Sequence, residues 1–277
     1  MAKERASLRV KLWGVRGSIP SPGPLTIGYG GNTACVEIGG AGKVVIVDAG
    51  TGIRALGDSL MQRGIHDIDL LFSHCHFDHI EGLPFFGPLY RTGSRITMWS
   101  GHLNRAGATS AMVSGLIASP YFPVGPAAFR AAITYRDFTN GTLLELAPGL
   151  TAGTITLRHP GGATGYRLNF NGSSVCYISD VEHESTPNGE LVEFVRGTEL
   201  MIYDAMYKGS EYERYRGFGH STWEEAIRLA DAAEVGRLVL FHHFPGRSDQ
   251  ELDAIEQEAA RARPATVMAR EGMEFEL

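Results

Sequence analysis

The sequence predicts an α+β fold in which two mixed β-sheets are faced by helices. Short strand-like segments follow one another in runs, the clearest series being residues 142–146, 155–158, 165–170 and 174–178. An amphipathic pattern over 222–233 predicts a helix, with Ser221 as its N-cap and Glu224 at capping-box distance. Runs of strands with helices between some of them are typical of two packed sheets with helices outside.

The N-terminal part of the chain combines strands with one loop and one helix. Strands are predicted at residues 8–15, 33–38, 43–47, 68–72 and 95–100. The segment 43–47 is a nearly continuous apolar run, which indicates a strand inside a sheet. After the first strand, the chain as far as Gly31 is rich in glycine and proline and is predicted to be loop. A helix is predicted through Ile53, Leu56 and Leu60.

The rest of the chain continues this pattern. Over 101–137 the periodicity weakens, and a helix containing Met112 and Leu116 is predicted before a loop at 120–126. This segment is expected either to cover a site or to be a plain structural insertion. Further elements are predicted as helices at 190–195 and 249–261 and as strands at 200–203, 238–241 and 265–268. Because no repeat, low-complexity tract or linker interrupts the chain, residues 1–277 are predicted to form one domain.

The composition is that of an ordinary globular protein. Of 277 residues, 43% are hydrophobic and 20% charged, and the net charge of −6 argues against a broad nonspecific nucleic-acid surface. Three widely spaced cysteines without a C-x-x-C pair favour a reducing compartment. Residues 1–13 lack the apolar run of a signal peptide, and no membrane span is found. A cytoplasmic, soluble protein without a membrane partner is expected; the oligomeric state is open, with a homodimer as one option.

A dense group of potential metal ligands directly follows the apolar run 68–72. Its order is His-x-His-x-Asp-His, formed by His74, His76, Asp78 and His79. A polar loop that is merely rich in histidine is the alternative explanation, but the ordered spacing favours a metal site.

The spacing also predicts how these side chains are oriented. On an extended segment side chains alternate, so His74, His76 and Asp78 are predicted to point one way. Cys75 and Phe77 are then predicted to point into packing. The last histidine of the motif is placed by the turn that follows.

Three later strands each end on a further donor. These donors are His159, Asp180 and the adjacent pair His242 and His243. A single strand-end histidine or aspartate is usually a turn residue, but together with the motif they supply about the inventory of a two-metal site. Because neighbouring strand residues face opposite sides, only one of His242 and His243 is expected to be a ligand.

The histidine motif, followed by Gly82 and Leu83, resembles the signature of the metallo-β-lactamase superfamily. The resemblance implies a four-layer αββα sandwich that binds two divalent ions. The implied ligands are, for one ion, His74, His76 and His159; for the other, Asp78, His79 and His242; and, as the bridge, Asp180. Imidazole and carboxylate suit zinc, and they also suit manganese, iron or nickel.

Asp48 ends the strand before the motif and matches an Asp-x-Gly element of the superfamily. The resemblance implies that this carboxylate orients a ligand histidine through the second ring nitrogen. A simple turn aspartate is the alternative, because Asp-Ala-Gly is a good turn sequence. At the last ligand position the resemblance favours His242, and His243 is then expected to pack or to support a ligand.

Residues 219–222 read Gly-His-Ser-Thr at the start of a predicted helix and resemble an element of ribonuclease Z and related phosphodiesterases. The resemblance implies that His220 protonates the leaving oxygen while a metal-bridging hydroxide attacks phosphorus. His220, Asp78 and Asp180 are therefore the implied catalytic residues. The chemistry is reasonable, because an alkoxide leaves poorly unless it is protonated. For His220 the alternative is a surface residue ahead of a capped helix.

The glycine-rich stretches that contain Arg16 and Asn32 resemble bacterial members near the carbon–phosphorus-lyase pathway phosphodiesterase and cyclic-nucleotide-degrading proteins. Arg16 is equally suited to contact a phosphate and to pair within the loop. Asn32 is a candidate for substrate contact or ligand support. Asp204, in a third matching stretch, is a candidate for the rim of the site or for orienting His220.

The combined expectation is a dinuclear metal phosphodiesterase acting on a small or cyclic phosphodiester. Ribonuclease Z carries a basic arm that grips tRNA, whereas this sequence has no Lys/Arg-rich arm and a net charge of −6, so nucleic acid is the less expected partner. The alternatives are a lactone or thioester hydrolase on the same scaffold, a tRNA 3′-processing endonuclease, and a metal-bound sensing module without turnover.

Overall fold

The computed structural model describes residues 7–186 and 188–277, and these residues form two mixed seven-stranded sheets. The expectation that residues 1–13 lack a signal peptide falls partly on residues 1–6, which lie outside the described residues. Among the residues that are described, no helix combines the length and apolar composition needed to cross a membrane.

The strands, in chain order, are β1 (Arg9–Gly14), β2 (Cys35–Gly40), β3 (Lys43–Val47), β4 (Asp67–Phe72), β5 (Arg95–Ser100), β6 (Ala132–Asp137), β7 (Leu143–Ala147), β8 (Leu150–Leu157), β9 (Ala163–Phe170), β10 (Ser173–Ile178), β11 (Leu200–Asp204), β12 (Arg237–Phe241), β13 (Thr266–Met268) and β14 (Glu274–Glu276). The helices are α1 (Gly52–Gln62), α2 (Phe77–Ile80), α3 (Ala108–Leu116), α4 (Gly189–Val195), α5 (Gly209–Tyr215), α6 (Trp223–Ala232) and α7 (Asp249–Ala262).

The first sheet has the order β14-β1-β2-β3-β4-β5-β6, and the second has the order β13-β12-β11-β10-β9-β8-β7. Strands β3 to β6 pair in parallel in the first sheet, as do β10 to β13 in the second. The remaining pairs are antiparallel. The carboxyl ends of parallel neighbours lie at the same edge of a sheet, so the residues that follow β3, β4, β10, β11 and β12 are brought together.

The core between the sheets confirms the layered architecture. Apolar side chains of one sheet, such as Leu12 and Val36, pack with Tyr166 and Phe241 of the other in one buried cluster. Helix α1 buries Ile53, Leu56 and Leu60 against the outer face of the first sheet, as its periodicity predicts. Helices α4, α6 and α7 cover the second sheet. The predicted αββα sandwich is therefore present.

Several predicted boundaries are wrong. Strand β8 begins at Leu150 instead of residue 155, because Gly153 and its small neighbours look like a turn but pair within the sheet. Strands β6 and β14 and helix α5 were not predicted. Strand β6 escaped prediction because it lies largely exposed at a sheet edge, where the alternation of apolar residues is weak. The N-cap of α6 is Thr222, whose hydroxyl accepts from the Glu225 amide, and not Ser221.

Candidate metal centre

The histidine motif leaves the sheet after β4 and turns into the short helix α2. His76 is extended and serves as the N-cap, so Asp78 and His79 lie on a helix and the predicted continuous alternation is wrong. Phe77 is 74% exposed, whereas the extended geometry predicted that it would pack inside. Asp78 and His79 are nevertheless both buried, because the helical turn directs them inward.

The structure gathers the seven predicted ligands into one cluster. Four sets of three side chains bring their potential ligand atoms within 4.8 Å of one another. They are His74, His76 and His159; Asp78, His79 and His242; His74, His79 and Asp180; and Asp180, His220 and His242. Asp180 lies between the first two sets, with Oδ2 3.0 Å from His79 Nε2 and Oδ1 3.4 Å from His242 Nε2. Its Oδ1 also lies 3.8 Å from His74 Nε2 and from His159 Nε2.

Unpaired nitrogens show that this cluster fits a cation. The Nε2 atoms of His74, His79 and His242 are fully buried and, among the described residues, have no partner in hydrogen-bond geometry. Buried polar atoms are normally satisfied, so three orphans pointing at one place call for a ligand. Imidazole nitrogens with carboxylate oxygens form a donor set that suits a divalent metal ion.

The electrostatics of the cluster agree with this interpretation. Burial, reinforced by the neighbouring histidines, lowers the pKa of His74 well below its usual value, which keeps its ring neutral. Burial opposes a charge on His79 too, but the carboxylates of Asp180, Asp78 and Asp48 outweigh it and raise the pKa of that imidazole. The acidic side of the cluster therefore attracts positive charge, which a proton or a metal ion supplies.

Three strand-end residues share an uncommon backbone conformation. Asp48 follows β3, Asp180 follows β10 and His242 follows β12, with φ of 63°, 59° and 62°. The left-handed region costs a non-glycine residue about 1–3 kcal/mol, and such strain concentrates at functional sites. The strand ends are thus bent so that Asp180 and His242 face the cluster and Asp48 faces the back of His79.

The N-terminal loop supports the centre through its backbone. The amide of Ser18 donates to Asp78 Oδ2 at 2.7 Å. Gly17 lies against His242, since a Cβ added there would stand 2.4 Å from His242 Cδ2 and from the Met206 methyl carbon. A side chain at Gly17 is therefore excluded by its close approach to His242.

Replacing Gly17 with alanine is expected to displace His242 and to weaken zinc binding by about tenfold or more. Chelator competition with purified protein measures this change. Gly115 of α3 has open space around its Cβ position, so Gly115→Ala is a matched control and should leave zinc affinity unchanged. Equal affinities for the two variants would contradict the role given to Gly17.

Arg16 and Asn32 lie in this loop system but turn away from the cluster. The Arg16 guanidinium is fully buried and donates to the carbonyls of Gly30 and Arg247. This geometry favours the loop partner over the phosphate contact. Asn32 donates through both its backbone and side-chain nitrogens to Glu271. Both residues hold the loop in place.

The structure distinguishes the two adjacent histidines after β12. His242 faces the cluster, whereas His243 Nε2 donates to the carbonyl of Ala269 at 2.8 Å and its ring stands edge-on to Tyr29. Asp48 lies behind His79, with Oδ2 2.7 Å from His79 Nδ1. The structure therefore places Asp48 against the His79 ring and places His242, rather than His243, at the cluster.

His220 stands at the edge of the cluster with its ring stacked on His242, the centroids 5.1 Å apart. Its Nδ1 lies 2.9 Å from Asp204 Oδ2 and 3.6 Å from Asp180 Oδ1. Asp204 is the last residue of β11, and β11 lies between β10 and β12 in the sheet. Asp204 therefore lies close to the strand ends that carry Asp180 and His242. Burial alone would lower the pKa of His220, but the carboxylates of Asp204, Asp180 and Asp78 raise it to about 9. The ring is thus set up as a proton donor at neutral pH.

Replacing Asp204 with asparagine is expected to lower the pKa of His220. The carboxylate stabilises the imidazolium, and without it the opposing effect of burial remains. An NMR pH titration of the His220 ring in metal-free protein measures the change. Asp58→Asn, at an exposed position on α1, should leave the titration unchanged. An unchanged His220 titration in D204N would show that this pair does not set the proton affinity.

Glu182 is a supporting residue that sequence reasoning missed. Its Oε2 accepts from the amides of Gly217 and Gly219, at 2.9 and 3.0 Å. The carbonyl of Gly219 lies 2.8 Å from His159 Nδ1, so the turn before His220 is tied to His159. Nothing in the sequence marked this glutamate except its position two residues after Asp180.

The comparisons with known proteins identify the family of this chain. A family model described as "Beta-lactamase superfamily domain" matches residues 43–243. Ribonuclease Z from Bradyrhizobium sp. (strain ORS 278) is 28% identical over 273 residues, covering 82% of this chain and 88% of that protein. Ribonuclease Z from Thermoplasma acidophilum is 29% identical over 106 residues, covering 38% of this chain and 33% of that protein. The chain thus matches only about a third of the length of several such relatives.

Solved structures show the same fold. The metallo-β-lactamase fold protein YhfI from Bacillus subtilis has a TM-score of 0.74 at 17% identity, covering 99% of this chain and 100% of that one. A diphosphatase of the PhnP family has a TM-score of 0.69 at 18% identity, covering 98% of each chain. Because the family model spans most of its length and the histidine motif lies inside the match, the chain belongs to the β-lactamase superfamily.

Proposed function

We propose that this protein is a metal-dependent hydrolase that cleaves a phosphodiester with the help of two divalent ions, zinc being the first candidate. The proposed ligands are His74, His76 and His159 for one ion, Asp78, His79 and His242 for the other, and Asp180 for both. Two such ions, when bound, neutralise charge on phosphoryl oxygens and supply a water-derived nucleophile at neutral pH.

The single observation that carries the reaction type is the His220–Asp204 pair beside the cluster. The Asp204 carboxylate stabilises a protonated His220, and the centroid of that ring lies 5.1 Å from the centroid of the His242 ring. Since Nδ1 is engaged with Asp204, Nε2 is the atom left to deliver a proton to a leaving oxygen. A binding module without turnover has no use for such a donor, and an alkoxide leaving group needs one.

The proposed substrate is a small or cyclic phosphodiester. Its support is the net charge of −6 and the absence of a Lys/Arg-rich arm from the sequence, because RNA affinity depends on neutralising many phosphates. The second candidate is cleavage of RNA. It is favoured by the similarity to a ribonuclease Z, which covers 82% of this chain. A tRNA precursor assayed beside cyclic nucleotides separates the two candidates.

Turnover of bis(p-nitrophenyl) phosphate by protein purified without chelator tests the proposed function. We expect about two metal ions per chain and hydrolysis that EDTA abolishes and zinc restores. Bound metal without hydrolysis would redirect the assignment to lactones or thioesters. Protein that holds no metal would contradict the proposed centre itself.

A further inference from the structure

The Asp48 carboxylate is more than the partner of one histidine. It is fully buried and accepts four hydrogen bonds, one at Oδ1 and three at Oδ2. Oδ1 accepts from the Ser73 amide at 2.7 Å, and Oδ2 accepts from the Ser73 hydroxyl at 2.7 Å, the Tyr177 hydroxyl at 2.8 Å and His79 Nδ1 at 2.7 Å. A buried charge with all its partners in place is a fixed point from which other side chains can be oriented.

The Ser73 hydroxyl extends this arrangement to a second histidine. Its oxygen lies 3.0 Å from His74 Nδ1. Because the single hydroxyl hydrogen is already donated to Asp48, the oxygen can only accept from His74. The Nδ1 atom of His74 must then carry the hydrogen. Its Nε2, which is buried and has no hydrogen-bond partner in the part of the chain that the structure describes, is left with its lone pair facing the centre.

The remaining contact comes from the opposite sheet. Tyr177 lies on β10, whereas Asp48, Ser73, His74 and His79 all follow strands of the first sheet. The phenol is fully buried and reaches across the core between the sheets to Oδ2. It therefore fixes the carboxylate relative to β10, the strand that ends just before Asp180.

We infer that Tyr177 and Ser73 are positioning residues that orient, through Asp48, one ligand of each proposed metal subsite: His79 directly and His74 by way of the serine. The inference rests on the proposed metal centre but not on the proposed reaction. It implies that a single hydroxyl, hydrogen-bonded to Asp48, controls the affinity of both subsites. Residues that hold ligand histidines in this way typically change metal affinity by about 10- to 100-fold.

Zinc titration against a chromophoric chelator tests this inference with Tyr177→Phe. Both zinc equivalents are expected to bind at least about tenfold more weakly than in the unmodified protein. Tyr166→Phe is the matched control, since Tyr166 is equally buried but donates its hydroxyl to the backbone carbonyl of Phe72. Its zinc affinity should stay within about twofold of the unmodified protein. If Y177F and Y166F bind zinc alike, the inference is overturned, whatever their thermal stabilities.

The hydrogen position on His74 tests the relay through Ser73. In zinc-loaded unmodified protein, long-range ¹H–¹⁵N spectra are expected to show hydrogen on Nδ1 of both His74 and His79. Hydrogen on Nε2 of His74 would overturn the relay.

Ser73→Ala tests whether Ser73 and Tyr177 act through the same carboxylate. The S73A and Y177F effects on zinc affinity are expected to be non-additive, because both act through Asp48. Strict additivity would contradict that shared route.

These measurements separate the inference from the proposed function. If Y177F weakens zinc binding while no form of the protein hydrolyses a phosphodiester, the positioning role is supported and the proposed phosphodiester hydrolysis is contradicted. If the unmodified protein hydrolyses phosphodiesters and Y177F binds zinc normally, the proposed hydrolysis is supported and the positioning role is contradicted.

Discussion

Replacing Asp180 with asparagine is expected to abolish phosphodiester hydrolysis and to strip the centre of most of its metal. The Asp180 oxygens lie between the two proposed ligand sets, 3.0 Å from His79 Nε2 and 3.8 Å from His159 Nε2. The negative charge of Asp180 is therefore expected to stabilise a cation in either set. Asparagine tolerates the left-handed backbone that Asp180 adopts, and the substitution therefore removes charge without adding strain. A loss of about 10³-fold or more in turnover is expected from the several kcal/mol that metal ions contribute.

Metal analysis and turnover on the same sample check this result. Asp69→Asn is a suitable control, because Asp69 is also a buried carboxylate but is paired with Lys43 and Trp99 and belongs to none of the ligand sets. Its variant should keep metal and activity even if it loses stability. A D180N protein with full metal content and full turnover would remove Asp180 from the centre.

Strand periodicity predicted that donors follow apolar strands, while the choice of His242 over His243 and the roles of the individual residues came from the family resemblance. His159, Asp180 and His242 each follow an apolar strand, and the strand order carries all three to one place. Each of these signals is weak alone, because turn residues follow most strands. Their number, together with the histidine motif, made the cluster predictable.

The parts that escaped prediction depend on backbone geometry and on distant contacts. The exposure of Phe77 follows from a helical turn after His76 that an alternating pattern does not reveal. Arg16 remained ambiguous because its carbonyl acceptors, such as that of Arg247, lie far away in sequence. The left-handed backbone of Asp180 is equally invisible, since an aspartate at a strand end is compatible with ordinary turns.

Replacing His220 with alanine is expected to slow hydrolysis in proportion to how poorly the leaving group departs. An alkoxide must be protonated as it leaves, so turnover of a cyclic nucleotide should fall by about 10²- to 10⁴-fold. p-Nitrophenolate departs without a proton, so turnover of bis(p-nitrophenyl) phosphate should fall much less. Metal content should be retained, because the proposed ligands of both ions do not include His220, whose Nδ1 lies 2.9 Å from Asp204 Oδ2. A loss of metal in H220A would instead make His220 a ligand, since its potential ligand atom lies within 4.8 Å of those of Asp180 and His242.

The difference between the two substrates is what identifies a proton donor. A ligand or a purely structural residue would affect both substrates alike, through metal loss or misfolding. His66→Ala is a control, because His66 precedes β4, pairs with Arg91 and belongs to none of the ligand sets among the described residues. Equal losses on both substrates, or full turnover of the cyclic nucleotide by H220A, would assign His220 another role. A loss confined to the alkoxide leaving group would instead identify His220 as the acid that Asp204 keeps protonated.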